Sequence, residues 1–444
     1  MSRLRLLAVL SYRTQEDCMR MMARLQRFLP AAFALLILIT IGAVRAKNII
    51  HISMLMPAPF ANSTSQLVEE FNKKHRGHII VDVTRGPLDT ESISDLAISS
   101  LLLGSNSFDI LLMDVTWLPK FAAANWLLSL DDWFDDTDIN SLVVGARLGN
   151  EWQGQLLRWP LIADMGLLYW RTDLMEKPPT TPEDLITVGQ QLQQEGKVAY
   201  GYVFQGRQYE GLSCVFLEVL EGFGGSWLLP DLWNGVNNSL ASSASHDAAR
   251  WLRNLIVSGV SPQAVINYSE VEALQSFLNG DAAMMRNWPY AWTELQNKDS
   301  PVRGKVGIST MVAQPGQIST ATQGSWGLAI LNGTKHAEQA AELIRYLTSA
   351  SSQKRLFLDY GYTPTSQVVF DDPELLSESP VLSALGAALS RAQLRPATPL
   401  YAQISDVLQR QLSSILTGQQ DPATGMDQAE RNSMVIVRSA GGRA

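Results

Sequence analysis

Apolar positions along the chain follow two periods in turn, one near two residues and one near 3.6, and the turns between them lay out an order of elements. Asn48–Met56 (NIIHISMLM) predicts a strand. Leu67, Val68 and Phe71 share one face of a helix over Ser65–Lys74. Ile79–Val83 predicts a second strand, Thr90–Leu103 a second helix closed by Gly104, and Phe108–Met113 a third strand ending at Asp114. Strands alternating with helices predict an α/β chain on mainly parallel sheets, where ligands bind beyond the carboxyl ends of strands. Arg85 and Asp114 both fall just after strands. Each either faces a ligand or serves as a surface charge or helix cap.

The pattern continues through the second half. Leu167–Trp170 reads as a strand with Asp164 just before it, Thr180-Thr181-Pro182 as a helix start, and Tyr200–Phe204 as a strand followed by Gln205–Leu212. Within that segment Glu210 lies between apolar neighbours, where a carboxylate needs partners; it either binds ligand or braces a loop. Asp247–Val257 and Val271–Leu278 predict helices, Ala282–Met285, Val306–Met311 and Gly324–Ile330 strands, and Ala337–Thr348 a helix. Further helices run to about Leu416, and a last helix with a frayed tail begins at Gln419. The strand at 282–285 runs into Arg286-Asn287-Trp288-Pro289-Tyr290, where Pro289 stiffens the turn. Trp288, Tyr290 and Trp292 are either core packing or rigid faces on which the C–H faces of a sugar stack.

Length and charge refine this picture. A chain of 444 residues exceeds one ordinary core and predicts two lobes. Its start carries Arg20, Arg24 and Arg27 before an uncharged, mostly apolar run from Phe28 to Val44, then Val44-Arg45-Ala46. That is the build of a cleavable secretory signal over 1–46, and the run is short for a membrane span of roughly 20 residues; an uncleaved anchor is the alternative. Cys18 precedes the apolar run, so no lipoprotein cleavage motif follows it, and Cys214 is the only cysteine after residue 46. No internal disulfide is then expected, which suits a bacterial periplasm. Residues 1–46 hold seven arginines and two acids, leaving 28 basic and 41 acidic side chains, a net of −13. Such an acidic chain argues against nucleic acid or an anionic membrane as partner.

Catalytic signatures are missing from the sequence: no G-x-S-x-G elbow, P-loop or dinucleotide glycine fingerprint. His75-Arg76-Gly77-His78 has turn composition and lacks zinc-site spacing, and the acidic loop Asp131, Asp132, Asp135, Asp136 and Asp138 lacks the glycine and terminal glutamate of a calcium loop. No metal and no cofactor are expected. Asp164 and Glu210 could form a glycosidase pair, at a separation that sequence does not fix. Tryptophans, carboxylates and arginines at strand ends suit a neutral polyhydroxylated ligand, whose hydroxyls donate to carboxylates and accept from arginine.

The stretches FDILLMDVTWLPKFAAANWLLSLDDW, ADMGLLYWRTDLMEKPP, QGRQYEGL, RNWPYAW, SPVRGKVG, GSWGLAI and LRPATPLYAQIS together cover most of the chain after residue 46. In them the chain resembles extracellular solute-binding proteins of ABC importers, of the maltose-binding-like group and especially trehalose/maltose-binding proteins. The resemblance implies a two-lobed type II periplasmic-binding-protein fold joined by a hinge. Its lobes would be 47–160 plus 326–349 and 161–325 plus 350–435, with a tail at 436–444. It implies a ligand held between the lobes by Asp114, Arg85 and Asn62 from the first, Asp164 at the hinge, Glu210, Trp288 and Tyr290 from the second, Ser325 and Trp326 at the second crossing, and Arg395 closing over it. Asn62 stands where the family often has an acid, Ile162 where it carries an aromatic, and Ser325 where it has glycine. The implied function is binding an α-linked disaccharide or glucoside, of trehalose or maltose type, or sucrose or glucosylglycerol. The implied partners are the permease membrane subunits, with the protein a periplasmic monomer and not an enzyme. A secreted glycoside hydrolase and a sugar sensor without transport are the alternatives.

Overall fold

The computed structural model describes residues 49–87, 89–104, 107–227 and 239–441. The expected signal segment, its cleavage site and Cys18 lie outside the described residues. Contacts divide the chain into two units, Met1–His51 with His75–Ile80, and Ile52–Lys74 with Val81–Ala444. In the smaller unit, the described residues form a turn: His78 and Ile79 N–H groups donate to the His75 carbonyl at 2.9 and 3.1 Å, and Ile50 N–H donates to the His78 carbonyl at 2.9 Å. Gly77 holds the turn at φ +80°, which its missing Cβ permits.

The strands are β1 (Ile50–Pro57), β2 (Ile79–Gly86), β3 (Ile110–Asp114), β4 (Glu151–Trp152), β5 (Gln155–Leu156), β6 (Trp159–Met165), β7 (Leu167–Arg171), β8 (Tyr200–Val203), β9 (Ala282–Asn287), β10 (Val306–Ser309), β11 (Ala321–Ile330) and β12 (Ala392–Gln393). One sheet runs β12-β11-β3-β1-β2 with β6 also on β11, a second runs β10-β7-β9-β8, and β4 and β5 make a small hairpin. Each large sheet carries its own apolar core. Leu55, Ile93, Leu111, Phe121 and Ala329 centre the first. Leu168, Tyr202, Phe216, Leu252 and Leu412 centre the second. Each fully buried side chain of Leu or Phe size contributes about 1.5–3 kcal/mol, so the two clusters account separately for two lobes.

The helices begin where side chains can satisfy free N–H groups. Asp89 accepts from Ser92 N–H at 2.8 Å and starts Thr90–Leu102. Thr181 accepts from Asp184 N–H ahead of Pro182–Gln194, with proline in its first turn as expected. Ser269 and Glu272 form a reciprocal capping box on Glu270–Leu278.

Strand direction corrects the expectation of mainly parallel sheets. β1 with β3, β11 with β12, and β8 with β9 are parallel. β11 runs antiparallel to β3 and to β6, and β7 antiparallel to β9 and to β10. The cause is the crossing between sheets. β6 belongs to the first sheet and continues through Gly166 straight into β7 of the second, with no crossover helix to reverse it. β11 then brings the chain back against β3 and β6. β6 carries the chain out of the first sheet and β11 carries it back, so these two neighbours run in opposite directions.

Two elements go beyond the sequence expectation. β6 (WPLIADM) is buried at every position, so it shows no alternation, and Pro160 argues against a strand. The helix Glu210–Gly222 is buried on almost every side, so it presents no polar stripe. Cys214 lies within it, and burial pushes its thiol pKa well up, which leaves it inert. Among the described residues no helix is long and apolar enough to cross a membrane.

Candidate functional site

β11 organises the site because it lies between β3 and β6. Its register sets Trp326 opposite both Asp114 and Ile162, and Gly324 opposite Asp164. The register with β6 shifts at Trp326/Gly327, since Gly327 pairs with Pro160 and Leu161 is the additional residue. Such bulges re-aim side chains beside functional sites. Three strands thus bring Asp114, Asp164 and Trp326 to one place.

Asp114 is buried, and its Oδ1 accepts the N–H and hydroxyl of Thr116 at 2.9 and 2.7 Å. It therefore caps the turn Val115–Trp117, as one sequence alternative had it. It also receives Arg395 Nη2 at 3.1 and 3.2 Å on its two oxygens. Arg395 follows β12, and its side chain is 2% exposed. Its Nη1 donates to Glu210 Oε1 at 2.7 Å and its Nη2 to the Gln323 carbonyl at 3.3 Å. Glu210 opens the helix Glu210–Gly222, where the N-terminal dipole favours a carboxylate. It further accepts the Tyr401 hydroxyl and, at 2.7 Å, the Ser405 hydroxyl. One guanidinium thus ties a carboxylate at the end of the first sheet to one beside the second core.

Asp164 is 7% exposed, and the Thr363 N–H, 3.0 Å from its Oδ1, is its hydrogen-bond partner among the described residues. Burial without a cation beside it raises its pKa to about 7. A carboxyl in this state can both accept and donate near neutral pH.

Trp288 is half-buried. Its Nε1 donates to Glu270 Oε1 at 3.1 Å, the Arg286 guanidinium carbon lies 3.9 Å from its ring centroid, and its ring edge rests on bare Gly324. Tyr290 begins the next short helix, also half-buried, and burial raises its phenol pKa. Trp326 is half-buried too, with its ring centroid 5.0 Å from that of Phe60 and 5.6 Å, edge-on, from that of Trp117. Phe60 also lies 5.2 Å from Tyr362, which neighbours the Thr363 that holds Asp164.

Ser325 points elsewhere. It is fully buried, accepts from Arg158 Nη2 at 3.0 Å and donates to the Ile162 carbonyl at 2.9 Å. Arg158 is itself fully buried, donates to Asn150 Oδ1 at 2.6 Å, and is lowered by desolvation to a pKa of about 9. Arg85, near the end of β2, and Asn62, on the helix Ala58–Ser63, are exposed and stand outside the hydrogen-bond network of Asp114, Glu210 and Arg395. Sequence reasoning missed Phe60, Tyr362 and Arg158. Phe60 follows a strand, as Asp114 does, and that position was its one available signal; the other two carried none.

A profile of the family described as bacterial extracellular solute-binding protein matches residues 66–382. The chain belongs to that family. A probable ABC transporter-binding protein of Deinococcus radiodurans is 34% identical over 77% of this chain and 83% of its own length. A maltotriose-binding protein of Pyrococcus abyssi is 23% identical over 69% of this chain and 65% of its own. Maltose-bound MalE3 of T. maritima superposes with a TM-score of 0.80 at 30% identity, covering 87% of this chain and all of that one. The fold of this solute-binding protein is therefore the two-lobed type II fold, and its family and structural neighbours are binding proteins.

Proposed function

We propose that the protein is the substrate-binding component of an ABC sugar importer and takes an α-linked disaccharide or glucoside between its lobes. The observation that carries this reading is the Asp114–Arg395–Glu210 bridge, flanked by Asp164 and by the half-buried rings of Trp288 and Trp326. Carboxylates accept hydroxyl protons, a guanidinium donates, and indoles stack on pyranose faces. The charge balance favours a neutral ligand. Asp114 and Glu210 share the Arg395 guanidinium, the buried Arg158 also interacts with Asp114, and burial raises the Asp164 pKa to about 7, so no surplus cation is left to pair with an anionic solute.

The relatives named above support maltose-type sugars; trehalose, sucrose and glucosylglycerol share the same α-glucoside chemistry. Asp114, Asp164, Glu210, Arg395, Trp288, Tyr290 and Trp326 contact the sugar, with Arg85 and Asn62 reaching it from the first lobe. The lobes are those the resemblance implies, 47–160 plus 326–349 and 161–325 plus 350–435, except that Leu161–Met165, Ala321–Ser325 and β12 lie in the first sheet. The protein works as a periplasmic monomer released by cleavage after Ala46. Ligand bridging both lobes stabilises the closed state, which the permease membrane subunits recognise. Glu210 is engaged by Arg395, Tyr401 and Ser405, so it is not a free acid for hydrolysis.

A thermal-shift panel of trehalose, maltose, sucrose and glucosylglycerol tests the reading. A ligand that binds only the folded state at a hundred times its Kd stabilises it by about 2.7 kcal/mol. One or more members should raise the melting temperature at millimolar concentration. A panel in which none does would overturn the proposal.

A further inference from the structure

Glu218 and Arg286 form an ion pair that is wholly inside the protein, both side chains 0% exposed. Arg286 Nε donates to Glu218 Oε2 at 3.0 Å and Nη2 to Oε1 at 2.5 Å. Gln205 completes the arrangement: it accepts from Arg286 Nη1 at 3.3 Å and donates to the Arg286 carbonyl at 2.9 Å. A pair desolvated this fully recovers little net stability over an apolar replacement, so its presence asks for another role.

Its surroundings supply one. Both crossings between the sheets rest on the Glu218 carboxylate. At the first, a Cβ on Gly166 would stand 1.8 Å from Glu218 Oε1 and 2.5 Å from Arg286 Nη2, so the carboxylate and guanidinium pack directly on bare backbone. At the second, Thr322 N–H donates to Glu218 Oε1 at 3.2 Å. The two crossings also bond to each other, through Gly166 N–H to the Thr322 carbonyl at 3.1 Å. On the other side of the pair, the Arg286 guanidinium lies 3.9 Å from the Trp288 ring, while the edge of that ring meets Gly324, two residues beyond Thr322 on β11. Guanidinium stacking on an indole fixes the ring's plane, and a hydrogen-bonded fork fixes the guanidinium.

We propose that Glu218 and Arg286 are positioning residues for ligand binding: the pair grips both crossings of the hinge and sets the pose of Trp288, so that the aromatic wall and lobe closure move together. Neither side chain has exposed surface with which to touch a ligand, so any effect on affinity passes through Trp288 and the crossings. The inference rests on the reading of Trp288 as a ligand face.

The test uses the full chain labelled with 5-fluorotryptophan, with the Trp288 fluorine signal assigned by Trp288→Phe. Glu218→Gln keeps the shape and removes the charge. In folded protein it should shift or broaden the Trp288 signal and weaken binding of the best disaccharide of the panel by about ten-fold, the scale of one charge-assisted bond. If Glu218→Gln does not fold, Gln205→Met, which releases Arg286 on its far side at similar volume, should do the same more weakly. A Trp288 signal that stays in place overturns the proposal whatever the affinity. A signal that moves while affinity holds also overturns it. In that case Trp288→Ala separates the causes: normal binding by Trp288→Ala means the ligand-face reading failed, and lost binding means only the coupling did.

Discussion

Replacing Arg395 with methionine asks how much of the protein's stability depends on the guanidinium between Asp114 and Glu210. Methionine fills the space of the aliphatic stem and removes every donor. The wild-type side chain is 2% exposed, and its ionic contacts at 2.7 and 3.1 Å are correspondingly little screened. Removing one member of a buried pair costs about 3–5 kcal/mol, because the charge left behind stays buried. Here the low end applies. Asp114 keeps the Thr116 N–H and hydroxyl, and Glu210 keeps Tyr401 and Ser405. A loss of about 3 kcal/mol, at about 2–4 °C per kcal/mol for a lobe-sized domain, lowers the ligand-free melting temperature by about 6–12 °C. Calorimetry without ligand at pH 7 reads this directly. Adding Asp114→Asn to Arg395→Met removes one stranded charge and should recover part of the loss, a non-additivity expected only for residues in contact. Sugar titration of the folded single variant should show weakened binding as well. A ligand-free melting temperature within about 1 °C of wild type, with the double variant simply additive, would refute the bridge as a stabilising contact.

The remaining predictions concern neighbouring groups. Asp164 has a folded pKa of about 7 against an ordinary 3.8, so the folded state holds a proton that the unfolded state releases between those values. This group's contribution to stability should therefore fall as pH rises through that window, and Asp164→Asn should remove that share of the slope and add up to about 4 kcal/mol above it; identical pH–melting curves for the two proteins would contradict this. Trp288→Ala should weaken sugar binding by about 2–4 kcal/mol, as for other buried aromatic anchors. Its ligand-free melting should drop less than the about 3–5 kcal/mol of a core aromatic would cause, and the reverse pattern would make Trp288 a core residue. Ser325→Gly should lower melting by the equivalent of about 1.5–3 kcal/mol through the lost bond to Arg158 and leave affinity unchanged. A changed Kd with unchanged melting would place Ser325 against the ligand.

Legibility of the fold followed the half-buried surfaces. Leu67, Val68 and Phe71 mark a helix because its other face is wet, and all three are buried in the structure. β6 and the helix Glu210–Gly222 are buried nearly throughout, so no polar positions beat time against the apolar ones. Strand direction is set by how a segment crosses between sheets, and Gly166 carries no sign of that in its neighbours. The site was legible one residue at a time. Asp114 and Glu210 each carry a local cue, an acid at a strand end and an acid among apolar neighbours, while Arg395 came only from the resemblance. Their union spans 281 and 185 positions along the chain, and no local pattern encodes a pairing at that range.

The same limit explains Ser325. Along β11 successive side chains alternate between faces. Gly324 meets Trp288, and Trp326 meets Phe60 and Trp117. Ser325 and Gly327 take the opposite parity, and both meet Arg158: the serine through its hydroxyl at 3.0 Å, the glycine because a Cβ there would stand 2.6 Å from the guanidinium. Arg158 is fully buried, and its donors end on Asn150, Ser325 and the Met113 carbonyl, all uncharged. The Asp114 carboxylate acts on this cation through space, but the cation's hydrogen bonds all end on neutral acceptors, and a glycine at 325 would leave one of its N–H groups without a partner inside the protein. The serine in GSWG therefore answers to an arginine 167 positions away on the far side of its strand.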